Sequence, residues 1–511
     1  MRLTEHRLEA ADWHNRLAAA EAMIPVVGEL YRRRGVVTSL HGSSLVNRST
    51  IEVIKAHRFA RHLDERELLL SETLPLLQGL LRIGVRNASV DLAVLAQDRR
   101  RRSAGESVDD FLLEALGPAL GSGAAAVPPR DVVLYGFGRI GRLVARLLIE
   151  HDGGGSALRL RAVVVRRGAP GDLRKRAGLL RRDSVHGPFA GTITVDEEAD
   201  TLLANGTLIQ FIYADDPATV DYRSYGIRDA IVVDNTGRSR DEEGLRSHLR
   251  ARGVARVLLT APGKGAIKNV VHGVNHGSVE PDDLIVSAAS CTTNAITPVL
   301  QVIDEFAGVR HGHVETVHSF TNDQNLTDNF HPGPRRGRSA ALNMVITETG
   351  AARAVAKALP SFAGKLTGSA IRVPTPDVSL AILNLQLERA VDRNELNAHL
   401  RRCSLDSPLR RQIDYVDSPD IVSTDILGSR HAGVVDGLAT IVMGDRAVVY
   451  VWYDNEFGYS CQVVRVIETM AGVHLPAWPR PRTDEGTRHG VLDDGDLAAA
   501  SGWPLRTAHA R

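Results

Sequence analysis

At 511 residues the chain is too long for one ordinary domain, so two or three cores are expected. Its hydrophobic content of 43% and charged content of 24% suit a soluble globular protein, and a formal net charge of +1 argues against recruitment to nucleic acid or a membrane surface by bulk charge. Cys291, Cys403 and Cys461 lack metal-type spacing, which gives neither a disulfide framework nor a zinc site; no metal is expected, and a reducing, cytoplasmic setting is. The first residues alternate charge without the apolar core of a signal peptide, and no run approaches the roughly 20 apolar residues of a membrane-spanning helix.

Residues 1–125 read as an all-α extension. Trp13, Leu17, Ala20 and Ile24 step by four, three and four, which puts them on one helical face. The leucine-rich run 68–81 predicts a buried helix interrupted near Pro75. Ser107 caps a short amphipathic helix with Asp109 and Asp110 in its first turn, Phe111, Leu112, Ala115 and Leu116 on its apolar face, and a Gly117-Pro118 stop. No catalytic constellation occurs here. The simplest reading is a helical domain that packs on its own chain or a neighbouring subunit, with a regulatory or partner-binding module as the alternative. Residues 121–129, small and ending in Pro128-Pro129, read as a linker.

Asp131 to Tyr135 is a short apolar strand running into Gly136-Phe137-Gly138-Arg139-Ile140-Gly141-Arg142 and then a helix over 143–149. The glycine spacing fits a dinucleotide-binding turn: the first glycine turns the chain, the second admits the pyrophosphate to the backbone, and the third lets helix and strand pack closely. A second strand, 160–165, should end in a carboxylate that hydrogen-bonds the adenosine ribose if the cofactor is NAD. It ends in Val165-Arg166-Arg167-Gly168, with no carboxylate at that turn. Two arginines supply charge-assisted donors for a 2′-phosphate, which favours NADP or dual use of NADP and NAD; the plain alternative is two solvated arginines. Asp234-Asn235-Thr236-Gly237 follows another strand, 230–233, and the alternation of strands and helices gives a parallel sheet.

Ser287-Ala288-Ala289-Ser290-Cys291-Thr292-Thr293-Asn294 reads as a strand end (283–286) passing through small and hydroxyl residues into a helix over 295–306, with Pro298 in its first turn. Cys291 then lies at or near a helix N-terminus, where free N–H groups and the positive end of the dipole lower a thiol pKa. A thiol nucleophile needs a base, and His318 lies one helix and one strand downstream, towards the end of a strand within 314–323. A buried structural cysteine and a core histidine are the plain alternatives.

The octet around Cys291, the stretch 136–142 and the segment 314–323 resemble the phosphorylating glyceraldehyde-3-phosphate dehydrogenase family. So do Asp183-Ser184-Val185-His186-Gly187, Asp234 to Gly237, Arg335 to Ala341, Thr347 to Ala352, Arg372 to Pro376 and Tyr453 to Ser460, in the family's order over about residues 130–475. The resemblance implies an α/β fold: a Rossmann-type dinucleotide-binding domain (130–290), an α+β catalytic domain (291–455) and a C-terminal helix returning to the first (456–478). A polar tail (479–511), expected to be mobile or draped over the surface, follows, and the all-α extension precedes.

The resemblance further implies that Cys291 attacks a phosphorylated aldehyde and that His318 is the base. Gly136, Phe137, Gly138, Arg139, Ile140, Gly141, Thr236, Gly237, Asn455 and Tyr459 would hold NADP or NAD, joined by Arg166 and Arg167. Thr321, Asp323, Arg336 and Arg372 would hold the substrate phosphate, and Ser290, Thr292, Thr349 and Gly350 the attacking inorganic phosphate. Glyceraldehyde 3-phosphate is the expected substrate and erythrose 4-phosphate the alternative; a scaffold turned to regulation or partner binding is the alternative of another class. A cytoplasmic homotetramer is implied, with no nucleic-acid or membrane partner. One more departure concerns a loop that in the family reaches a neighbouring subunit's cofactor. Where NAD-type members usually carry Leu-Pro before a histidine, Asn329-Phe330 precedes His331, which again favours NADP.

Overall fold

The computed structural model describes residues 2–60, 67–102, 105–121, 129–151, 158–473, 475 and 477–479. All but the two ends of the expected linker (121–129) and all but Pro479 of the expected tail (479–511) lie outside the described residues. Two compact units divide the described residues: one gathers the N-terminal extension with Val473, Leu475 and residues 477–479, the other residues 129–151 and 158–472.

The N-terminal unit contains α1 (Arg2–Arg34), β1 (Val37–Leu40), β2 (Ser43–Ser44), α2 (Thr50–Phe59), α3 (Leu70–Ile83), β3 (Ser89–Asp91), α4 (Leu92–Arg100) and α5 (Val108–Gly121). The all-α expectation is corrected here, because a four-stranded sheet in the order β2-β1-β3-β20 accompanies the helices. Its last strand, β20 (Ala477–Trp478), runs parallel to β3 and seats Trp478 in the same core. These strands are two to four residues long, too short for an alternating pattern to register. They are tied by the buried Asp91, whose carboxylate accepts from His41 N–H (3.0 Å), Gly42 N–H (2.7 Å) and Ala93 N–H (3.0 Å).

On α1 the buried stripe is Ala20, Met23, Val27 and Leu30, with Leu17 packed beside it, whereas Trp13 and Ile24 are exposed. The expected face was therefore rotated by about one position. Neither proline breaks its helix: α3 runs through Pro75 and α5 through Pro118, because burial of Leu76, Leu77 and Leu80 on one and Phe111, Leu112 and Leu116 on the other outweighs one missing N–H.

The second unit opens with β4 (Arg130–Tyr135), α6 (Arg139–His151), β5 (Leu158–Val165), α7 (Asp172–Arg181), β6 (Ile193–Asp196), β7 (Thr201–Ala204) and β8 (Thr207–Tyr213). It continues with β9 (Ala230–Asp234), α8 (Glu242–Leu249), β10 (Val254–Leu259), β11 (Lys268–Asn269) and β12 (Ile285–Ser287). These strands form one sheet, β11-β12-β10-β9-β4-β5-β8-β7-β6, parallel except for the antiparallel β6-β7-β8 edge. Val132, Val133 and Leu134 are fully buried, as a strand covered on both faces requires.

The C-terminal half of this unit contains α9 (Cys291–Ala307), β13 (Val309–Ser319), β14 (Val345–Glu348), α10 (Ala351–Ala358), β15 (Leu366–Val373), β16 (Ser379–Leu387), α11 (Arg393–Leu405), β17 (Ile413–Val416), β18 (Gly433–Met443), β19 (Arg446–Tyr453) and α12 (Phe457–Ala471). Its seven strands run β14-β15-β13-β16-β19-β18-β17, a mixed sheet against which α9 and α11 pack. Helix α9 starts four residues earlier than expected, and Pro298 lies inside it rather than in its first turn; Thr292 to Ile303 are all buried, so packing holds the helix where the ladder has a gap. Helix α12 packs on α6 and ends at Ala471, with Gly472 in the left-handed region (φ 65°).

Candidate active site

Ser290 caps α9, its hydroxyl accepting from Thr293 N–H at 3.1 Å, and this makes Cys291 the first helical residue. The residue two before the thiol, Ala289, is buried with φ 54°, a conformation that costs about 1–3 kcal/mol outside glycine and is held here by its surroundings. Tyr459 donates its hydroxyl to Ala289 C=O at 3.0 Å. Asn294 Nδ2 binds Ala288 C=O at 2.8 Å. Two side chains thus clamp the strained entry to the helix.

Strand β13 delivers His318 so that Nε2 lies 3.6 Å from Cys291 Sγ. His318 Nδ1 is 2.7 Å from Ser319 C=O, and Arg372 Nη1 donates to the same oxygen at 3.0 Å. Arg372 Nη1 also lies 2.8 Å from Nδ1. The tautomer that donates Nδ1–H to the carbonyl leaves the Nε2 lone pair facing the thiol, whereas the one that accepts from Arg372 at Nδ1 turns Nε2–H towards it. Burial, then the Arg372 charge, pushes the imidazole down to about 3, so it rests neutral. The expected depression of the thiol is corrected: burial pushes Cys291 up from its ordinary value, outweighing the pull of Arg372 and the Thr292 contacts. The resting pair is a neutral thiol beside a neutral base, and a proton can pass between them without a net change of buried charge.

Tyr453, on β19, is fully buried and joins the two elements: its hydroxyl meets Thr292 Oγ1 at 2.9 Å and Thr316 Oγ1 at 2.7 Å. Asn455 Oδ1 accepts from Ser319 Oγ (2.9 Å) and Ser379 Oγ (2.7 Å), which fixes the amide's orientation. Tyr453, Ser319 and Ser379 carry no assigned role in the sequence reading. Tyr453 opens a quoted motif, but its partners come from distant segments that only the sheet register brings together.

The residues expected to hold anions converge unevenly. Arg372 Nε is buried and has no partner. Arg336 donates to Asp323 at 2.8 Å and to Thr347 Oγ1 at 2.9 Å, and Thr321 hydrogen-bonds Asp323. Burial would raise the Asp323 carboxyl, but Thr321, Arg372 and Arg336 outweigh it and hold the group below its usual range. Thr349 Oγ1 accepts from Ala351 N–H at 3.2 Å, with Gly350 next to it at the start of α10.

In the glycine turn, Gly136 has φ 93°, and a Cβ there would lie 2.9 Å from Thr236 Cγ2. A Cβ at Gly141 would lie 2.6 Å from Gly136 O, the close packing expected of the third glycine. At Gly138 a Cβ would meet nothing within 4 Å; this glycine is exposed and leaves open backbone where a pyrophosphate fits. Phe137 packs edge-on against Phe211, and Ile140 is half-buried. Thr236 is held by Asp234, through both N–H and Oγ1 at 2.7 Å, with Gly237 (φ 64°) beyond it. The Arg139 side chain is diverted into ion pairs with Glu456 and Asp183.

At the end of β5, Arg166 is exposed; Arg167 lies 3.8 Å over the Tyr213 ring and 3.4 Å from Asp200. The turn is not free of carboxylates in space. Asp172, from the first turn of α7, brings Oδ1 within 2.8 Å of where a Gly168 Cβ would be, and Arg176 pairs with it at 2.8 Å.

Two family models match the chain: the NAD binding domain of glyceraldehyde 3-phosphate dehydrogenase over residues 130–242 and the C-terminal domain of the same enzyme over 290–455. The chain belongs to the glyceraldehyde-3-phosphate dehydrogenase family. It is 62% identical to a glyceraldehyde-3-phosphate dehydrogenase-like protein of Pseudomonas aeruginosa (strain UCBPP-PA14), over 90% of this chain and 100% of that one. It is 40% identical to the glyceraldehyde-3-phosphate dehydrogenase of Zymomonas mobilis, over 66% of this chain and 98% of the relative, and 40% identical to glyceraldehyde-3-phosphate dehydrogenase 2 of Bacillus subtilis, over 66% and 96%. The first alignment is long enough to reach well into the N-terminal extension. Membership brings a nicotinamide dinucleotide cofactor and oxidoreductase chemistry. Among the described residues no helix is long and apolar enough to cross a membrane.

Proposed function

We propose that the protein is a phosphorylating glyceraldehyde-3-phosphate dehydrogenase that works through a Cys291 thioester and favours NADP over NAD. The observation that carries this reading is the Cys291–His318 pair at 3.6 Å beside Arg372, whose Nε–H is buried without a partner and needs an anion to satisfy it. His318 Nε2 takes the thiol proton as the sulfur adds to the aldehyde carbon, and the N–H groups at the start of α9 face the oxygen that gains charge. His318 passes that proton to the oxyanion, which completes the hemithioacetal, and, neutral again, takes the hydroxyl proton as hydride leaves the carbon; a nicotinamide, when bound, would supply the two-electron acceptor. Attack of inorganic phosphate on the thioester carbon then releases the thiolate and an acyl phosphate.

Arg372, Thr321, Asp323 and Arg336 hold the substrate phosphate in this scheme, and Ser290, Thr292, Thr349 and Gly350 the attacking one. With Asn455 Oδ1 occupied by two hydroxyls, its NH2 is left to meet the nicotinamide carboxamide, and Tyr459 flanks the ring. The NADP preference rests on Arg166, on Arg167 held over Tyr213, and on Asp172 being neutralised by Arg176. A homotetramer fits the exposure of Leu326 (73%), Phe330 (89%), Leu342 (83%) and Met344 (76%) within the loop after β13.

The test is the initial rate with glyceraldehyde 3-phosphate, comparing NAD with NADP, with and without inorganic phosphate. A phosphate-dependent rate that is higher with NADP is expected. A preference for NAD would remove the cofactor reading and leave the chemistry, and turnover that ignores phosphate would point to erythrose 4-phosphate and release of the acid.

A further inference from the structure

A second cluster of titratable groups lies outside the thiol pocket. His186 Nε2 is 3.0 Å from Asp377 Oδ2 and 2.9 Å from Asp454 Oδ2, and both carboxylate side chains are fully buried. A single Nε2–H cannot serve both. Asp454 has other donors: Glu456 N–H (3.0 Å) and Phe457 N–H (2.6 Å) reach Oδ1, and Gly428 N–H (2.9 Å) reaches Oδ2. Among the described residues Asp377 has one backbone donor, Val378 N–H on Oδ1 (2.7 Å), and its Oδ2 meets only the His186 Nε2 that it shares with Asp454.

The surrounding charges make the imbalance plain. Arg139 and His186 are the cations; Asp183, Glu456, Asp454 and Asp377 are the carboxylates, with the Phe457 ring tilted at 34° and its centroid 5.8 Å from that of the imidazole. If all four carboxylates ionise, anions outnumber cations by two, and the carboxyl with fewest donors is the one that keeps a proton. The directions agree: burial and its acidic neighbours push Asp377 up to about 7, Asp454 is held below its usual range, and the two carboxylates hold His186 up at about 9 against the opposing effect of burial.

The cluster is wired to the thiol. Val378, between Asp377 and Ser379, is a buried β-branched residue at φ 64°, a backbone that only a tightly determined site sustains. Ser379 Oγ donates to Asn455, next to Asp454, and accepts from Ser319 N–H at 3.1 Å, next to His318. An ionised Asp377 also disfavours the Cys291 thiolate, in opposition to Arg372.

We propose that Asp377 is a tuning carboxyl of the thiol site: in the working enzyme it holds a proton shared with Asp454 beside His186, and losing that proton makes the Cys291 thiolate harder to form. This rests on Cys291 being the nucleophile, as proposed above. Asp377 touches neither substrate nor sulfur and acts through the field and through the Ser379–Asn455–Ser319 chain.

The test is the rate of Cys291 alkylation by iodoacetamide against pH, in the full-length protein and in Asp377→Asn, which keeps the shape and cannot ionise. Below about pH 6 the two should react alike, and above about pH 8 the variant should react several-fold faster, along a single steeper titration. Coincident profiles, or a constant ratio at all pH values, would overturn the proposal, the second being the mark of a merely structural effect. Infrared spectroscopy of the wild type guards against a variant that fails to fold: a buried protonated-carboxyl band should be present near pH 6 and lost near pH 9, and its absence at the lower pH would also overturn the proposal. Failure of Cys291 to alkylate at any pH, in folded protein, would instead contradict the thiol-nucleophile reading and this inference with it.

Discussion

Two histidines of the dehydrogenase body, His318 and His186, sit in opposite electrostatic settings, although both are well buried. His318 shares its pocket with Arg372 and has no carboxylate bonded to it, and burial takes it down to about 3. His186 suffers the same burial, yet Asp377 and Asp454 reverse its sign and take it up to about 9. Burial pushes both imidazoles down; at His318 the Arg372 charge adds to it, and at His186 the two carboxylates outweigh it. The first setting yields a free base beside a thiol, and the second yields a fixed cation that knits the segment before α12 to the dinucleotide half.

The comparison breaks most visibly at the thiol. Cys291→Ala should lower kcat/KM by about 10⁴-fold or more, measured as reduced cofactor formed, with unchanged thermal unfolding. His318→Asn should lower kcat by about 10²–10⁴-fold and slow Cys291 alkylation, again without loss of stability. At the other histidine the balance inverts. His186→Ala leaves two buried carboxylates facing each other and should cost about 3–5 kcal/mol in denaturant unfolding before any effect on the chemistry is considered. Tyr453→Phe removes the bridge between Thr292 and Thr316 and should cost about 1–3 kcal/mol while lowering kcat less than either pocket substitution.

The finest distinction is in pH. An unfolded histidine titrates near about 6.5. The folded His318 lies below that, so its contribution is intact above about pH 6.5 and is lost as pH falls towards 3. The folded His186 lies above it, so its contribution is intact below about pH 6.5 and is lost as pH rises through about 9. Unfolding free energies of His318→Asn should therefore have a shallower acid limb, and those of His186→Asn a shallower alkaline limb.

The pocket was legible in the sequence because its chemistry is carried by contiguous runs. Ser290 to Asn294 makes its own cap, and residues 314–319 make one strand, so Cys291 and His318 could be named without coordinates. The His186 cluster was not legible, since His186 lies 268 positions from Asp454 and 191 from Asp377. The direction of the thiol shift was missed for a related reason: a helix N-terminus can be read from Ser290, but the depth of burial that opposes it cannot. The apparent lack of a carboxylate near Arg167 was a one-dimensional impression, because a helical turn brings Asp172 back onto Gly168. In the N-terminal unit the helices carried a 3.6-residue signal, whereas the strands were too short to carry one and the fourth arrives from Ala477 and Trp478 at the far end of the chain.

The most direct measurement is intact-mass spectrometry of the full-length protein mixed with glyceraldehyde 3-phosphate and NADP in the absence of inorganic phosphate. The account predicts an acyl adduct on Cys291 that disappears when phosphate is added and never forms on Cys291→Ala. Turnover of the aldehyde without any adduct on Cys291, or with the same adduct on the variant, would contradict it.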